Sequence, residues 1–146
     1  MSKIAVVTDT NSGITQEEAK KLGVYLLAMP FIVDDKEYFE GVSCTYEQFF
    51  EMLGSGRNVS TSQPSPESLT SLWKEVLKTN DYIIHIPMSS ALSGSCGTAK
   101  ALAADFDGTR ETAIKVQEWL CKHQSVCVLL LKKKDVKSIE VLFGYL

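Results

Sequence analysis

What the chain lacks narrows its function first. It has no surplus of positive charge: 15 Lys and Arg stand against 18 Asp and Glu, a net charge of -3. Gripping nucleic-acid phosphates takes a surplus of Lys and Arg, so no nucleic-acid partner is expected. The one basic run, Lys132-Lys133-Lys134, reads as the solvated end of a strand. No stretch approaches the roughly 20 apolar residues that span a bilayer. Met1-Ser2-Lys3 runs straight into an apolar segment, without the pattern of a signal peptide. A protein without a membrane span, located in the cytoplasm, is the expectation. Its cysteines agree: Cys44, Cys96, Cys121 and Cys127 lack the spacing of a disulfide framework, which points to reduced thiols. Cys121, His123 and Cys127 supply only three ligands, and Cys127 falls in an apolar run, so no metal site is expected.

Signatures of catalysis are missing as well. There are 2 histidines. His85 lies inside an apolar strand and reads as a satisfied core residue, while His123 lies at a helix end, where its charge favours the dipole. No Ser-His-Asp triad is evident. The elbow G-x-S-x-G is not met, because Ser95 has Ser93 two positions before it and Cys96-Gly97 after it. The phosphate-cradling G-x-x-x-x-G-K-[ST] is absent. A binding protein, rather than an enzyme, is the expectation.

What is present is an ordinary globular composition, 45% apolar and 23% charged, over 146 residues. That length suits one domain with a real core. Ile4 to Thr8 is a short apolar run ending in the polar loop Asp9 to Gly13, where Asp9 reads as a cap for Asn11-Ser12-Gly13. A short helix is expected from Thr15, with Glu17 and Glu18 in its first turn. Val24 to Val33 reads as a strand, Asp34-Asp35-Lys36 as a turn, and Glu37 to Phe39 as a segment pairing back. Thr45 and Gln48 form a capping box for a helix carrying Tyr46, Phe49, Phe50 and Leu53 on one face. Ser65 and Pro66 open a helix whose buried stripe is Leu69, Leu72, Trp73, Val76 and Leu77. Tyr82 to Met88 is a continuous apolar strand, followed by a helix of small residues from Cys96 to Ala104 that Asp105 to Gly108 breaks. A helix from Thr109 to about His123 and a strand from Val126 to Leu131 lead to a short closing segment. Alternating strands and helices predict a three-layer α/β/α domain with a mainly parallel sheet.

In open parallel sheets, ligands bind beyond the carboxyl ends of the strands. Two loops there are alike in chemistry: Val59 to Pro66 (VSTSQPSP) and Ser89 to Ser95. Each sets hydroxyls and backbone N–H groups at a helix start, a place that favours an anion. Neither contains Lys or Arg; Arg57 is four residues before Thr61. Neutral donors without a cation suit one carboxylate better than a polyphosphate. Turn formers and caps are the plainer reading of the same hydroxyls. A flavodoxin-like FMN-binding domain, with Thr8 to Gly13 around the flavin phosphate, is an alternative, although no aromatic pair stands ready for the flavin ring. A degenerate interaction domain without a ligand is another.

Three segments together, Thr8-Asp9-Thr10-Asn11-Ser12-Gly13, Ser60-Thr61-Ser62-Gln63-Pro64-Ser65-Pro66 and Ile84 to Gly94 (IHIPMSSALSG), resemble the DegV family of bacterial fatty-acid-binding proteins, which includes the carrier subunits of fatty acid kinase. The resemblance covers Ser2 to about Gly108. It implies a DegV-like N-terminal α/β domain over residues 1–108, with 109–146 a helix-strand tail of the same compact domain. It also implies a long-chain fatty acid, with no cofactor. The carboxylate would be held by Thr61 and Ser93, with Ser62 and Gly94 close by, and presented to a separate ATP-using kinase. Apolar residues near these strand ends, Phe31, Ile32, Met88 and Leu92, are candidates to line the acyl chain. Family members are about twice as long, and their second domain adds an arginine and a histidine near the carboxylate. Neither can be placed here. The expectation is therefore a truncated and impaired binder, unless a second copy covers the open groove as a homodimer.

Overall fold

A computed structural model of the chain describes residues 3–105 and 129–132. β1 (Ile4–Asp9) is central: it pairs in parallel with β2 (Val24–Leu27) on one side and with β6 (Tyr82–Ile86) on the other. β7 (Leu129–Lys132) joins β6 antiparallel, giving the order β2-β1-β6-β7. The α/β class with a mainly parallel sheet is thus the expected one. The strand read at Val126 to Leu131 is observed from Leu129 and runs against its neighbour. The helix expected from Thr109, the trio Cys121, His123 and Cys127, and the closing segment lie outside the described residues.

The apolar run from Val24 to Val33 is not one strand. It breaks at Ala28-Met29, and β3 (Pro30–Val33) belongs to a second sheet, antiparallel and of order β4-β3-β5, with β4 (Lys36–Phe39) and β5 (Val59–Thr61). Thr10 pins the break. Its buried hydroxyl accepts the Met29 N–H at 3.1 Å and donates to Glu40 at 2.7 Å. Pro30 has no N–H to give a ladder, which suits the first position of a strand. β3 and β4 join at Asp34-Asp35, whose φ angles of 47° and 65° fit the tight hairpin turn that needs positive φ at both central residues. Segment 37–39 does pair back onto β3.

Helices begin where their caps are written. Thr15 and Glu18 form a capping box on α1 (Gln16–Leu22), Thr45 and Gln48 form another on α2 (Tyr46–Gly54), and Ser65 caps α3 (Pro66–Val76) with Pro66 at its first position. Leu69, Trp73, Val76 and Leu77 meet Ala5, Val7 and Ile83 of the sheet, with Leu72 partly buried beside them. The small residues of α4 (Ser95–Asp105) complete this core through Cys96, Ala99 and Ala103. Of the aromatic face of α2, only Phe49 packs inward, edge-on to Phe31 at 4.8 Å. Tyr46, Phe50 and Leu53 are exposed. Cys44 is free and buried, but Cys96 is disulfide-bonded, so the expectation of reduced thiols throughout does not hold.

His85 is 1% exposed and only half satisfied. Trp73 Nε1 donates to its Nδ1 at 3.2 Å. An indole N–H can only donate, so Nδ1 is the acceptor and the ring proton sits on Nε2. Nε2 has no partner among the described residues, where a satisfied core residue is expected from the sequence. Burial pushes its pKa down to about 4.

Two outcomes follow from this core. Ile83, wholly buried on a central strand, costs about 2–5 kcal/mol on truncation to Ala, whereas Phe50→Ala costs less than about 0.5 kcal/mol. Urea unfolding of the two variants checks this, and a large loss at Phe50 would mean that α2 is covered. The pH dependence has a definite sign. His85 takes up its proton near 6.5 when unfolded and only near 4 when folded, so its neutral burial contributes stability above 6.5 that is lost as pH falls towards 4. The loss amounts to about 3 kcal/mol. Asp9, whose pKa burial raises, acts in the opposite sense. His85→Phe therefore flattens the stability difference across this window, and parallel curves for variant and wild type would refute it.

Candidate functional site

The first hydroxyl loop leaves the small sheet at its edge strand. Thr61 ends β5 opposite Phe31 of β3, the Ser62 N–H donates to the Pro30 carbonyl at 3.2 Å, and Pro64 is buried. Its hydroxyls divide by duty. Ser65 accepts the Ser68 N–H at 3.1 Å and so starts α3. Ser62 donates to the Gln63 carbonyl at 3.2 Å. Thr61 is exposed, and its hydroxyl forms no hydrogen bond among the described residues.

The second loop follows β6. The N–H groups of Leu92 and Ser93 both donate to the Ser89 carbonyl, at 2.9 and 3.0 Å, which curls the chain ahead of α4. Ser93 Oγ accepts the Ser95 N–H at 3.1 Å and lies 2.8 Å from Ser95 Oγ. Ser93 is half-buried and Gly94 is exposed. Asp9 caps the turn after β1, as read, by accepting the Asn11 N–H at 3.0 Å. It also reaches across the sheet to accept the Met88 N–H at 2.7 Å, which anchors the start of the second loop. Desolvation raises its carboxyl pKa, opposed by these two backbone donors and assisted by Glu40.

Gln63 brings the loops together. Thr98 Oγ1 of α4 donates to Gln63 Oε1 at 3.3 Å. A Cβ on Gly94 would stand 2.9 Å from the same oxygen, so the glycine permits the close approach. Thr61 and Ser62 therefore belong to a loop that touches the one bearing Ser93 and Gly94. Sequence reading passed over Gln63, since nothing in it marks a partner 35 residues away. Under the junction lies a cavity of about 10 Å³, lined by Asp9, His85, Ser95 and Thr98 among others.

Arg57 Nε is 2.6 Å from Asp34 Oδ2, in an exposed pair at the hairpin. The four apolar candidates are dispersed. Phe31 is wholly buried in the core of the small sheet, stacked on Tyr38 at 5.5 Å. Ile32 projects from the opposite face of β3, since neighbours along a strand alternate, so these two cannot form one wall. Met88 is half-buried and Leu92 is 76% exposed. A larger cavity of about 630 Å³ lies elsewhere, between Thr10, Ile14 and the start of α2. Among the described residues there is no cluster of three or more His, Cys, Asp or Glu that could hold a metal, and no helix long and apolar enough to cross a membrane.

The family model described as uncharacterised protein, DegV family, matches residues 3–133. A DegV domain-containing protein of Caldanaerobacter subterraneus subsp. tengcongensis is 34% identical over 99 residues, 68% of this chain and 35% of that protein. One of Mycoplasma genitalium is 30% identical over 145 residues, 95% of this chain and 47% of that protein. The crystal structure of DegV from Bacillus subtilis, described as a fatty acid binding protein, superposes with a TM-score of 0.67 at 28% identity, covering 71% of this chain and 37% of that one. A DegV family protein from Thermus thermophilus shares the fold at 22% identity, with a TM-score of 0.65 over 97% of this chain and 51% of that one. The chain thus spans about a third to a half of the length of these relatives. It belongs to the DegV family.

Proposed function

We propose that this chain is a binding protein for a long-chain fatty acid, with Thr61 and Ser93 as the hydroxyls that hold the carboxylate. The observation that carries this reading is the contact of the two hydroxyl loops through Gln63, Gly94 and Thr98. It brings the loop that bears Thr61 against the loop that bears Ser93, beyond the strand ends, where open parallel sheets bind ligands. Thr61 supports it further, because no hydrogen bond among the described residues occupies its hydroxyl. The description of the Bacillus subtilis relative as fatty-acid-binding supports the choice of anion. The energetic logic is simple: a few directed donors orient the carboxylate, and each buried methylene of the chain adds about 0.8 kcal/mol.

The chain carries one half of such a site. Its hydroxyls are neutral, Arg57 is committed to Asp34, and Leu92 stands exposed beside Ser93. A covering partner, as a further domain or a second copy, supplies the cationic half and the remaining wall of the acyl site. The carrier then offers the carboxylate to a separate kinase that phosphorylates it. The protein itself performs no chemistry.

Lipid extraction with mass measurement, together with oleate titration, tests the reading. The wild-type chain is expected to carry or take up a long-chain fatty acid. Thr61→Ala and Ser93→Ala each weaken oleate binding by roughly tenfold or more, the loss of one hydrogen bond to a charged group. A lipid-free protein that oleate neither binds nor stabilises would sink the proposal. A yellow preparation, or stabilisation by FMN, would transfer it to flavin.

A further inference from the structure

The half-satisfied histidine meets the small cavity beneath the loop junction. His85 lines it with Asp9, Ser95 and Thr98, beside the apolar Leu69 and Pro64. Its volume of about 10 Å³ is close to one water-sized sphere. Cavities of this size stay dry when apolar and hold a water when two to four polar groups converge on them. Among the described residues, His85 Nε2 is the buried side-chain atom left without a hydrogen-bond partner. That vacancy carries the full desolvation cost of a polar group.

We propose that one water molecule occupies this cavity, accepts the His85 Nε2–H and donates to Ser95 and Asp9, and that His85 thereby positions the Ser93 hydroxyl as a donor. The direction of each bond follows from Trp73. Its indole N–H fills Nδ1, so Nε2 must donate. A water that accepts this hydrogen has two of its own to give, and the Ser95 hydroxyl and the Asp9 carboxylate are the acceptors at hand. Ser95 Oγ, having accepted, turns its own hydrogen to Ser93 Oγ, 2.8 Å away. Ser93 Oγ also accepts the Ser95 N–H at 3.1 Å. Both its lone pairs are then filled, and its hydrogen is left for an acceptor outside the protein. This role rests on the reading that Ser93 holds a carboxylate. His85 touches no ligand and is a positioning residue.

The test combines oleate titration of the whole chain with NMR of the His85 ring nitrogens. The unliganded wild type should show the neutral Nε2–H tautomer with a through-space cross-peak to a long-lived water; the other tautomer, or no such cross-peak, overturns the inference. His85→Phe should weaken oleate binding roughly threefold to tenfold. That loss should vanish when Ser93 is already Ala, which a general loosening of the fold would not produce. Equal losses in both backgrounds, or no loss, overturn the positioning role. Ser95→Ala should show the same coupling to Ser93, and serves if His85→Phe does not fold. A wild-type chain that binds no oleate at all removes the functional reading and the positioning role with it, and the water then stands or falls on the NMR result alone.

Discussion

The arrangement depends on one buried carboxylate. Asp9 is 3% exposed, at the end of the central strand, and accepts backbone N–H groups from two segments that are far apart in sequence, Asn11 and Met88. A carboxylate in such a place is tolerated because donors replace the water it loses. The same bonds do structural work. Parallel strands β1 and β6 already end at one edge of the sheet, and Asp9 fixes how the chain departs from each. The loop after β6 therefore begins at a set point, and Ser93 follows from it through the bonds onto the Ser89 carbonyl.

The second loop partner arrives by a different route. β5 belongs to the antiparallel sheet, whose centre, β3, is reached directly from β2 through the break at Ala28-Met29. Thr10 governs that passage, since its hydroxyl joins the turn after β1 to Met29 and to Glu40. Adjacent residues Asp9 and Thr10 thus position both loops, one across the parallel sheet and the other through the small sheet. The candidate site is assembled between two sheets rather than on either, which is why its closure relies on side chains such as Gln63 and Thr98.

Local features were legible in the sequence because their causes are local. Both capping boxes, the Ser65-Pro66 start, the stripe of α3 and the Asp34-Asp35 turn involve residues within a few positions of one another. The split of Val24 to Val33 was not legible, because a short apolar run does not reveal that a distant threonine hydroxyl interrupts it. The antiparallel sense of β7 depends on its pairing with β6, and the bond from Asp9 to Met88 spans 79 positions. Spacing rules for cysteine did not foretell the disulfide at Cys96. His85 was correctly read as core, but its unfilled Nε2 depends on the orientation that Trp73 imposes. The hydroxyl loops were recognisable by composition, and only the fold shows that Gln63 joins them.

A hydroxyl is donor and acceptor at once, so the presence of serine and threonine does not by itself make an anion site. What matters is which lone pairs and hydrogens the fold has already engaged. Ser62 gives its hydrogen to the backbone and is not free to donate outward in this arrangement, while Ser65 accepts the Ser68 N–H at the start of α3 and lies 2.9 Å from the Ser68 hydroxyl. The Thr61 hydroxyl is engaged by nothing among the described residues, and its β-branched side chain has restricted χ1 freedom on a strand, so less entropy would be lost on meeting the proposed ligand. Ser93 is held by the Ser95 backbone from one side and faces the Ser95 hydroxyl on the other. These two hydroxyls differ from their neighbours not in chemistry but in what the backbone leaves them to do. With Arg57 drawn off to Asp34, on the proposed reading they confer direction on an anion without neutralising it. On that reading a half-site of neutral donors orients a head group well and retains it weakly, so retention would depend on whatever covers the exposed Leu92 side of the loops.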